Sequence, residues 1–295
     1  MITDLYKERL KLLSEKLSVL PDKDEETPVN TLNALWSTAG GCPLSVFQAN
    51  NIELSDLSAT QIEYLDEMIG KRLQGLPLAY LTGRQSFMGL EMIARKDALI
   101  PRKETEILAS TAIKVVNEFL PGAINVIDTC TGAGNVALAI AKYCENTTVF
   151  AADLSEDAVG LASENSTFLD LDKRVTFLSG DLLQPFEKLN LDNKVSLLTC
   201  NPPYISSAKV SEMPTEISAH EPKLAFDGGA FGINLIKRLV TEADKYLIHN
   251  GYLIFEVGFG QAAMIKKLVE KTNIYKLVET INDGSGHPRV IVARK

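Results

Sequence analysis

Positive charge, cysteine and long apolar runs are all scarce in this 295-residue chain, and each scarcity removes a class of function. The 30 Lys and Arg are outnumbered by 38 Asp and Glu, a net charge of −8. Over residues 1–86 the count is 8 against 12, so the deficit is shared along the chain and neither part is a basic arm. Stable binding of free nucleic acid is therefore not expected, because that affinity comes from neutralised phosphates. The four cysteines, Cys42, Cys130, Cys144 and Cys200, stand far apart with no CxxC pair. That spacing argues against a zinc site or a disulfide framework, and they read as small buried hydrophobes. No metal is expected. No apolar run approaches the ~18 residues of a membrane span. The opening MITDLYKERL has charges where a signal peptide needs its apolar region, so the expected compartment is the cytoplasm, with no membrane partner.

What is present is the composition of an ordinary globular protein, 45% hydrophobic and 23% charged. At roughly 150 residues per domain, two domains are expected. Residues 1–75 read as a helical domain. Ile2, Leu5, Arg9, Leu13, Leu17 and Leu20 step by threes and fours until Pro21, and Ser58 with Gln61 has the form of a capping box ahead of Ile62, Leu65, Ile69 and Leu73. Residues 76–101 hold short β-like runs broken by Gly83 and Gly89, which suits a hairpin linking two domains.

From 102 to 295 short β-branched runs alternate with helical stretches. Strands are expected at 124–128, 147–153, 174–178, 194–199, 251–257, 275–281 and 288–293. Helices are expected at 103–120, 135–144, 156–165, 231–249 and 260–271. That alternation implies an α/β fold with a doubly wound, Rossmann-like parallel sheet. The segment 205–230 has no clear period, and so long a structureless stretch inside a compact domain points to function.

The run VIDTCTGAGNVALAIA is a strand, a tight turn bearing Gly132 and Gly134, and a helix, the arrangement by which α/β sheets hold a ligand at the carboxyl ends of their strands. Ala137 stands where a third glycine would fall, so the motif alone is weak. Two spacings strengthen it. Asp153, followed by Leu154, ends the next strand about 20 residues on, where a carboxylate accepts hydrogen bonds from ribose hydroxyls. Asp181 ends a third strand, placed to bond an adenine amino group while Leu182 packs on the ring. Either a nicotinamide dinucleotide or S-adenosylmethionine fits such a nucleoside site. A pyrophosphate asks for the full glycine set at a helix N-terminus. An ammonium group asks for an acid, and Asp128 beside Thr129, Thr131 and Ala133 supplies one, which favours the methyl donor.

The stretch Cys200-Asn201-Pro202-Pro203-Tyr204 follows the apolar run VSLLT. Prolines remove donors and fix φ near −65°, so the strand stops and its exit is rigid. As the fourth strand in sequence, it brings Asn201 beside the glycine turn. A planar nitrogen conjugated to a carbonyl or a ring is a poor nucleophile because its lone pair is delocalised. Two fixed acceptors, Asn201 Oδ1 and the Pro202 carbonyl, hold its N–H groups and free that lone pair for in-line attack, while Tyr204 lies flat against the target. The competing reading is a turn that ends an edge strand. Of the histidines, His220 reads as an exposed loop residue, His249 as the end of a helix, where a positive ring suits the dipole, and His287 as part of a turn. Glu256, at a strand end, is a further candidate.

With these residues assembled, the chain resembles the HemK/PrmC family of protein-(glutamine) methyltransferases, which modify the side-chain amide of the Gly-Gly-Gln tripeptide of peptide chain release factors. The likeness runs through PLAYLTGRQSFMGLEM (77–92), LIPRKETE (99–106), DTCTGAG (128–134), NPPY (201–204), EPKLAFDGG (221–229), FEVGFGQ (255–261) and the closing DGSGHPRVIVARK. The resemblance implies an N-terminal helical bundle (1–75) that docks the release factor, a β-hairpin linker (76–101) and a methyltransferase domain (102–295). It implies S-adenosylmethionine as cofactor and S-adenosylhomocysteine as product, with Asn201, Pro202, Pro203 and Tyr204 around the target amide. Phe87 and the segment Arg102 to Glu106, including Thr105, would line the cofactor cleft. A monomer is expected. Two positions depart from the family pattern: Lys103 stands where proline is usual, and Cys130 replaces a glycine of the turn. A related branch methylates a glutamine of a large-subunit ribosomal protein, and DNA adenine-amino methyltransferases share the chemistry but must flip a base.

Overall fold

The computed structural model describes residues 2–205, 214–226 and 233–295. By its internal contacts the chain divides into two units, Met1–Lys96 with Pro214–Glu221, and Asp97–Met213 with Pro222–Lys295. No described helix is long and apolar enough to cross a membrane.

The first unit is mainly helical. It contains α1 (Ile2–Lys16), α2 (Pro28–Ala39), α3 (Val46–Ala49), α4 (Ala59–Leu73) and α5 (Leu78–Thr82), then the hairpin β1 (Arg84–Phe87) and β2 (Leu90–Ile93). Local chemistry starts the helices. Thr27 caps α2 by accepting from Asn30 N, with Pro28 in the first turn, where its missing N–H is no loss. Ser58 and Gln61 form the expected reciprocal capping box of α4. Between Phe87 and Leu90, Met88 and Gly89 both have positive φ, 52° and 77°, as a tight two-residue hairpin turn requires. The apolar faces close on Leu13, Leu32, Leu35, Trp36, Leu65, Met68 and Ile69.

A buried ion cluster binds residues 214–221 into this unit. Glu216, in the helical turn Thr215–Ser218, accepts from Lys23 Nζ at 2.6 Å and Arg72 Nη1 at 2.9 Å, and Arg72 Nη2 reaches Glu26 at 2.8 Å. All four side chains are buried. Each charge therefore depends on its partners, since an ion left unpaired out of water is costly. The rest of the 205–230 stretch includes a 3₁₀ turn, Lys223–Ala225, while 206–213 and 227–230 lie outside the described residues.

The second unit is built on one seven-stranded sheet in the order β5-β4-β3-β6-β7-β9-β8. Its elements are α6 (Thr105–Phe119), β3 (Ile124–Thr129), α7 (Asn135–Tyr143), β4 (Thr147–Asp153), α8 (Glu156–Phe168), β5 (Val175–Ser179), β6 (Val195–Cys200), α9 (Asn234–Tyr246), β7 (Leu247–Glu256), α10 (Ala262–Lys271), β8 (Leu277–Asn282) and β9 (Pro288–Arg294). Strands β3 to β7 are mutually parallel, and β9 runs antiparallel to both β7 and β8. Because both faces are covered, the middles of the inner strands are apolar: Val126 and Ile127, Leu197 and Leu198, Leu253 and Ile254 are all at 0% exposure. From α9, Ile236, Leu239, Val240 and Ala243 pack with Phe255, Leu253 and Ile291 in one cluster.

The expected helix at 231–249 is shorter than its periodicity suggests. Residues 231–232 lie outside the described residues, α9 ends at Tyr246, and β7 begins at Leu247 opposite Val195. The strand then bulges before Tyr252 pairs with Leu197, and Asn250, at φ 66°, makes the kink. His249 consequently lies in a strand, with its ring 2.8 Å from Asn250 Nδ2 and 3.0 Å from Lys276 Nζ, and not at a helix end. The order of strands matters most for function. β3 lies between β4, which follows it, and β6, so the order reverses there, the switch point at which open α/β sheets place ligands at their carboxyl ends.

Candidate active site

At that switch point Thr129 pairs with Cys200, so the glycine turn after β3 and the NPPY exit after β6 leave the sheet side by side. The turn is shaped by backbone that favours glycine. Gly132 and Gly134 have φ of 55° and 83°. A Cβ on Gly134 would sit 3.1 Å from Ala162 Cβ and 3.2 Å from both Leu138 Cδ1 and Phe177 Cε1, while one on Gly132 would meet nothing within 4 Å. The second glycine therefore closes packing, and the first leaves an open approach. Cys130 also holds a positive φ, 57°, a strained choice for a residue with a Cβ. Asn165 Nδ2 fastens the loop at Ala133 O, 3.1 Å away.

Two carboxylates face this turn from successive strand ends. Asp128 is buried between Thr131 Oγ1 at 2.6 Å and Thr199 Oγ1 at 2.7 Å. Burial lifts its pKa to about 6, against the lowering effect of the two hydroxyls. Asp153 accepts from Gly132 N at 2.9 Å and Ser155 N at 3.0 Å, one bond to each oxygen, which leaves lone pairs for a ligand. Its pKa is also raised, mainly by burial. Thr129 and Thr131 are buried, Thr129 Oγ1 donating to Leu182 O at 2.7 Å, and Leu154 is exposed. Residues 128–135 carry no basic side chain. Two acids facing a turn that carries no basic side chain suit an ammonium and ribose hydroxyls and oppose a pyrophosphate, so the residues fit S-adenosylmethionine.

Asp181 has a partner that sequence did not reveal. Arg238 of α9 spans its two oxygens at 3.0 and 3.3 Å. Both side chains are about half exposed, so the pair is weak. Leu182, at φ 50°, is buried in the sheet's core cluster.

Beyond β6 the tetrapeptide is held by a polar chain. Asn201 Nδ2 donates to Thr105 Oγ1 at 3.1 Å, Thr105 Oγ1 donates to Glu256 Oε2 at 2.8 Å, and Tyr204 OH donates to Glu256 Oε1 at 2.8 Å. Arg289 Nη2 stands 3.8 Å from the same carboxylate. Burial raises the pKa of Glu256 while Thr105, Tyr204 and Arg289 lower it, and burial with the adjacent Glu256 charge keeps Tyr204 a neutral phenol. Gln261 fixes the tyrosine's backbone, its Nε2 donating to Tyr204 O at 3.0 Å and its Oε1 accepting from Gly258 N at 3.0 Å. A Cβ on Gly258 would lie 3.0 Å from Tyr204 Cδ2, so the ring packs where only glycine fits. Pro202 is buried and Pro203 half-buried.

Of the residues singled out in the sequence, Asn201, Tyr204, Thr105 and Glu256 come together, and so do the turn residues with Asp128 and Asp153. Phe87 is fully buried at the end of β1, in the first unit. Arg102 lies just ahead of α6. Thr199, Arg238, Gln261 and Arg289 were not foreseen, because each acts through strand pairing or helix docking that leaves no local pattern. Among the described residues no cluster of His, Cys, Asp and Glu is arranged to hold a metal.

The chain is similar to known proteins along most of its length. The methyltransferase small domain family matches residues 105–231. The release factor glutamine methyltransferase of Thermodesulfovibrio yellowstonii is 32% identical over 82% of this chain and 85% of its own length. That of Moorella thermoacetica is 35% identical over 77% of this chain and 78% of its own. Among solved structures, a methyltransferase from Pyrococcus furiosus shares the fold with a TM-score of 0.50, at 17% identity over 71% of this chain and 91% of that one.

Proposed function

This chain belongs to the release factor glutamine methyltransferase family, and from that premise we propose that it transfers a methyl group from S-adenosylmethionine to the side-chain amide nitrogen of the glutamine in the Gly-Gly-Gln motif of peptide chain release factors. When bound, the cofactor supplies an electrophilic methyl on its sulfonium and leaves as S-adenosylhomocysteine. Asp128 offers the buried negative charge that matches the ammonium, Asp153 accepts from the ribose hydroxyls, and Asp181 exchanges Arg238 for the adenine amino group. Gly132 lets the backbone come close to the ligand, while Ala133 and Gly134 pack the turn behind it.

A carboxamide nitrogen attacks poorly while its lone pair is shared with its carbonyl. Asn201 Oδ1 and the Pro202 carbonyl accept its two N–H groups and hold it in the attacking orientation, with φ of the prolines fixed before substrate arrives. Tyr204, pinned at its hydroxyl and at its carbonyl, offers a flat, uncharged face. As the nitrogen gains the methyl it loses one proton, which departs late to solvent without a strong base. The observation that carries this reading is the 3.1 Å bond from Asn201 Nδ2 to Thr105, which occupies the donor end of the asparagine and leaves its oxygen as acceptor.

The enzyme acts on release factor as a monomer in the cytoplasm, where translation terminates. Incubating the purified chain with methyl-labelled donor and, separately, release factor, ribosomes and DNA tests the assignment. Label on the tripeptide glutamine of release factor is the expected result. Label only in a ribosomal protein or only in DNA would refute it.

A further inference from the structure

We propose that Glu256 sets which way round the Asn201 carboxamide points, acting through Thr105 as a positioning residue, and that the same carboxylate holds Tyr204 in place. The inference deepens the reading of Asn201 as the residue that accepts the substrate amide, and rests on it.

Glu256 ends β7 at 1% exposure, with one oxygen 2.8 Å from Thr105 Oγ1 and the other 2.8 Å from Tyr204 OH. The charged and titratable groups around it are Arg289 on β9, Tyr204 after β6 and Glu104 just before α6. Both hydroxyls donate to this carboxylate, one to each oxygen. Thr105 has one proton, and that proton is then used. Toward Asn201, 3.1 Å away, the threonine presents lone pairs alone. Only the Nδ2 end of the asparagine satisfies them, because Oδ1 in that place would set acceptor against acceptor. The carboxamide is thus fixed with its oxygen turned away from Thr105.

Polarity here is what the reaction needs. The substrate glutamine brings two N–H donors, and an asparagine reversed end for end would meet them with a donor. A buried polar chain transmits such direction well, because each group has one satisfied arrangement and the alternatives leave groups unpaired. Glu256→Gln keeps the shape and reverses the logic. Arg289, 3.8 Å from Oε1, favours the amide oxygen on the Tyr204 side, so the NH2 group faces Thr105 Oγ1 and donates to it, the hydroxyl proton swings toward Asn201, and Oδ1 becomes the favoured partner.

The test uses the full chain and three variants, Glu256→Gln, Thr105→Val and Thr105→Ser, with release factor as substrate and S-adenosylhomocysteine as binding probe. Glu256→Gln is expected to keep probe affinity and the KM for release factor while kcat falls about 10²- to 10³-fold, the scale of losing one preorganised polar contact. Thr105→Ser keeps the hydroxyl and retains activity, whereas Thr105→Val loses about tenfold in kcat, as for one absent hydrogen bond. In 15N-asparagine-labelled protein, the Asn201 side-chain NH2 protons are expected to be exchange-protected in the wild type and to lose that protection in Glu256→Gln. Wild-type kcat in Glu256→Gln or in Thr105→Val would overturn the proposal, and so would unchanged NH2 protection in Glu256→Gln. Should Glu256→Gln fail to fold, the two threonine variants decide alone. A wild-type chain that leaves release factor unlabelled would instead refute the substrate assignment, and the NMR comparison, which needs no substrate, would still decide the asparagine's orientation.

Discussion

Lowering the pH from 7 to 5 is expected to weaken cofactor binding through one group, Asp128. Without ligand its carboxyl titrates at about 6, because burial penalises the charge more than Thr131 and Thr199 favour it. The donor's α-amino group has an ordinary value near 8, so it remains an ammonium across this range. If that ammonium pairs with the ionised carboxylate, protonation must be undone before binding, and apparent affinity falls by a factor of 1 plus 10 to the power of 6 minus the pH. At pH 7 the loss is about 10%; at pH 5 it is about 11-fold, with a limiting slope of tenfold per unit. Titration calorimetry with S-adenosylhomocysteine, which keeps the amino acid end and is stable, reads this directly. Asp128→Asn should bind more weakly at pH 7 and show no slope between 5 and 7. The same shift acts on stability with the opposite sense. The native carboxyl holds its proton up to about 6 and the unfolded one only to about 4, so between those values the native state binds more protons and stability falls as pH rises. At pH 7 the ionised group costs about 3 kcal/mol at most, two pKa steps at 1.36 kcal/mol each. Ligand-free Asp128→Asn should therefore melt higher than the wild type at neutral pH. Affinity that is flat from pH 7 to 5 in the wild type, or a pH slope that survives in Asp128→Asn, would refute the reasoning.

Other perturbations separate the parts of the molecule. Asn201→Ala should leave S-adenosylhomocysteine affinity nearly unchanged and reduce kcat by about 10²-fold or more, measured by single-turnover methylation. Gly134→Ala meets Ala162, Leu138 and Phe177 at 3.1 to 3.2 Å with φ at 83°, and should cost about 1–3 kcal/mol in urea unfolding together with cofactor affinity. Arg72→Met strands Glu26 and part of Glu216 among buried groups and should cost about 3–5 kcal/mol by the same assay.

The second unit's strands were largely legible, because a strand buried on both faces must be a run of apolar residues flanked by turn formers. The strand at 147–153 was placed to the residue, and those at 174–178 and 194–199 are shifted by one. The exception, 247–250, reads as helix because Leu239, Val240, Ala243, Tyr246 and Leu247 keep a helical spacing straight into β7, and a bulge has no periodicity to announce it. At the site, glycines and acids at strand ends advertise themselves by type and spacing. Their partners do not. Thr199 reaches Asp128 across 71 positions only because β6 pairs with β3, and Thr105 meets Glu256 across 151. Such bonds follow from strand order, which no single segment of sequence encodes.

The ion cluster around Glu216 bears on any attempt to dissect this protein. The chain passes from one unit to the other at 96, returns after 213 and leaves again after 221. A fragment starting at Asp97 would keep Glu216 but discard Lys23 and Arg72, turning a neutralised carboxylate into an orphan. The helical portion is thus no detachable prefix, and autonomy of the remainder would require excising residues 214–221 as well.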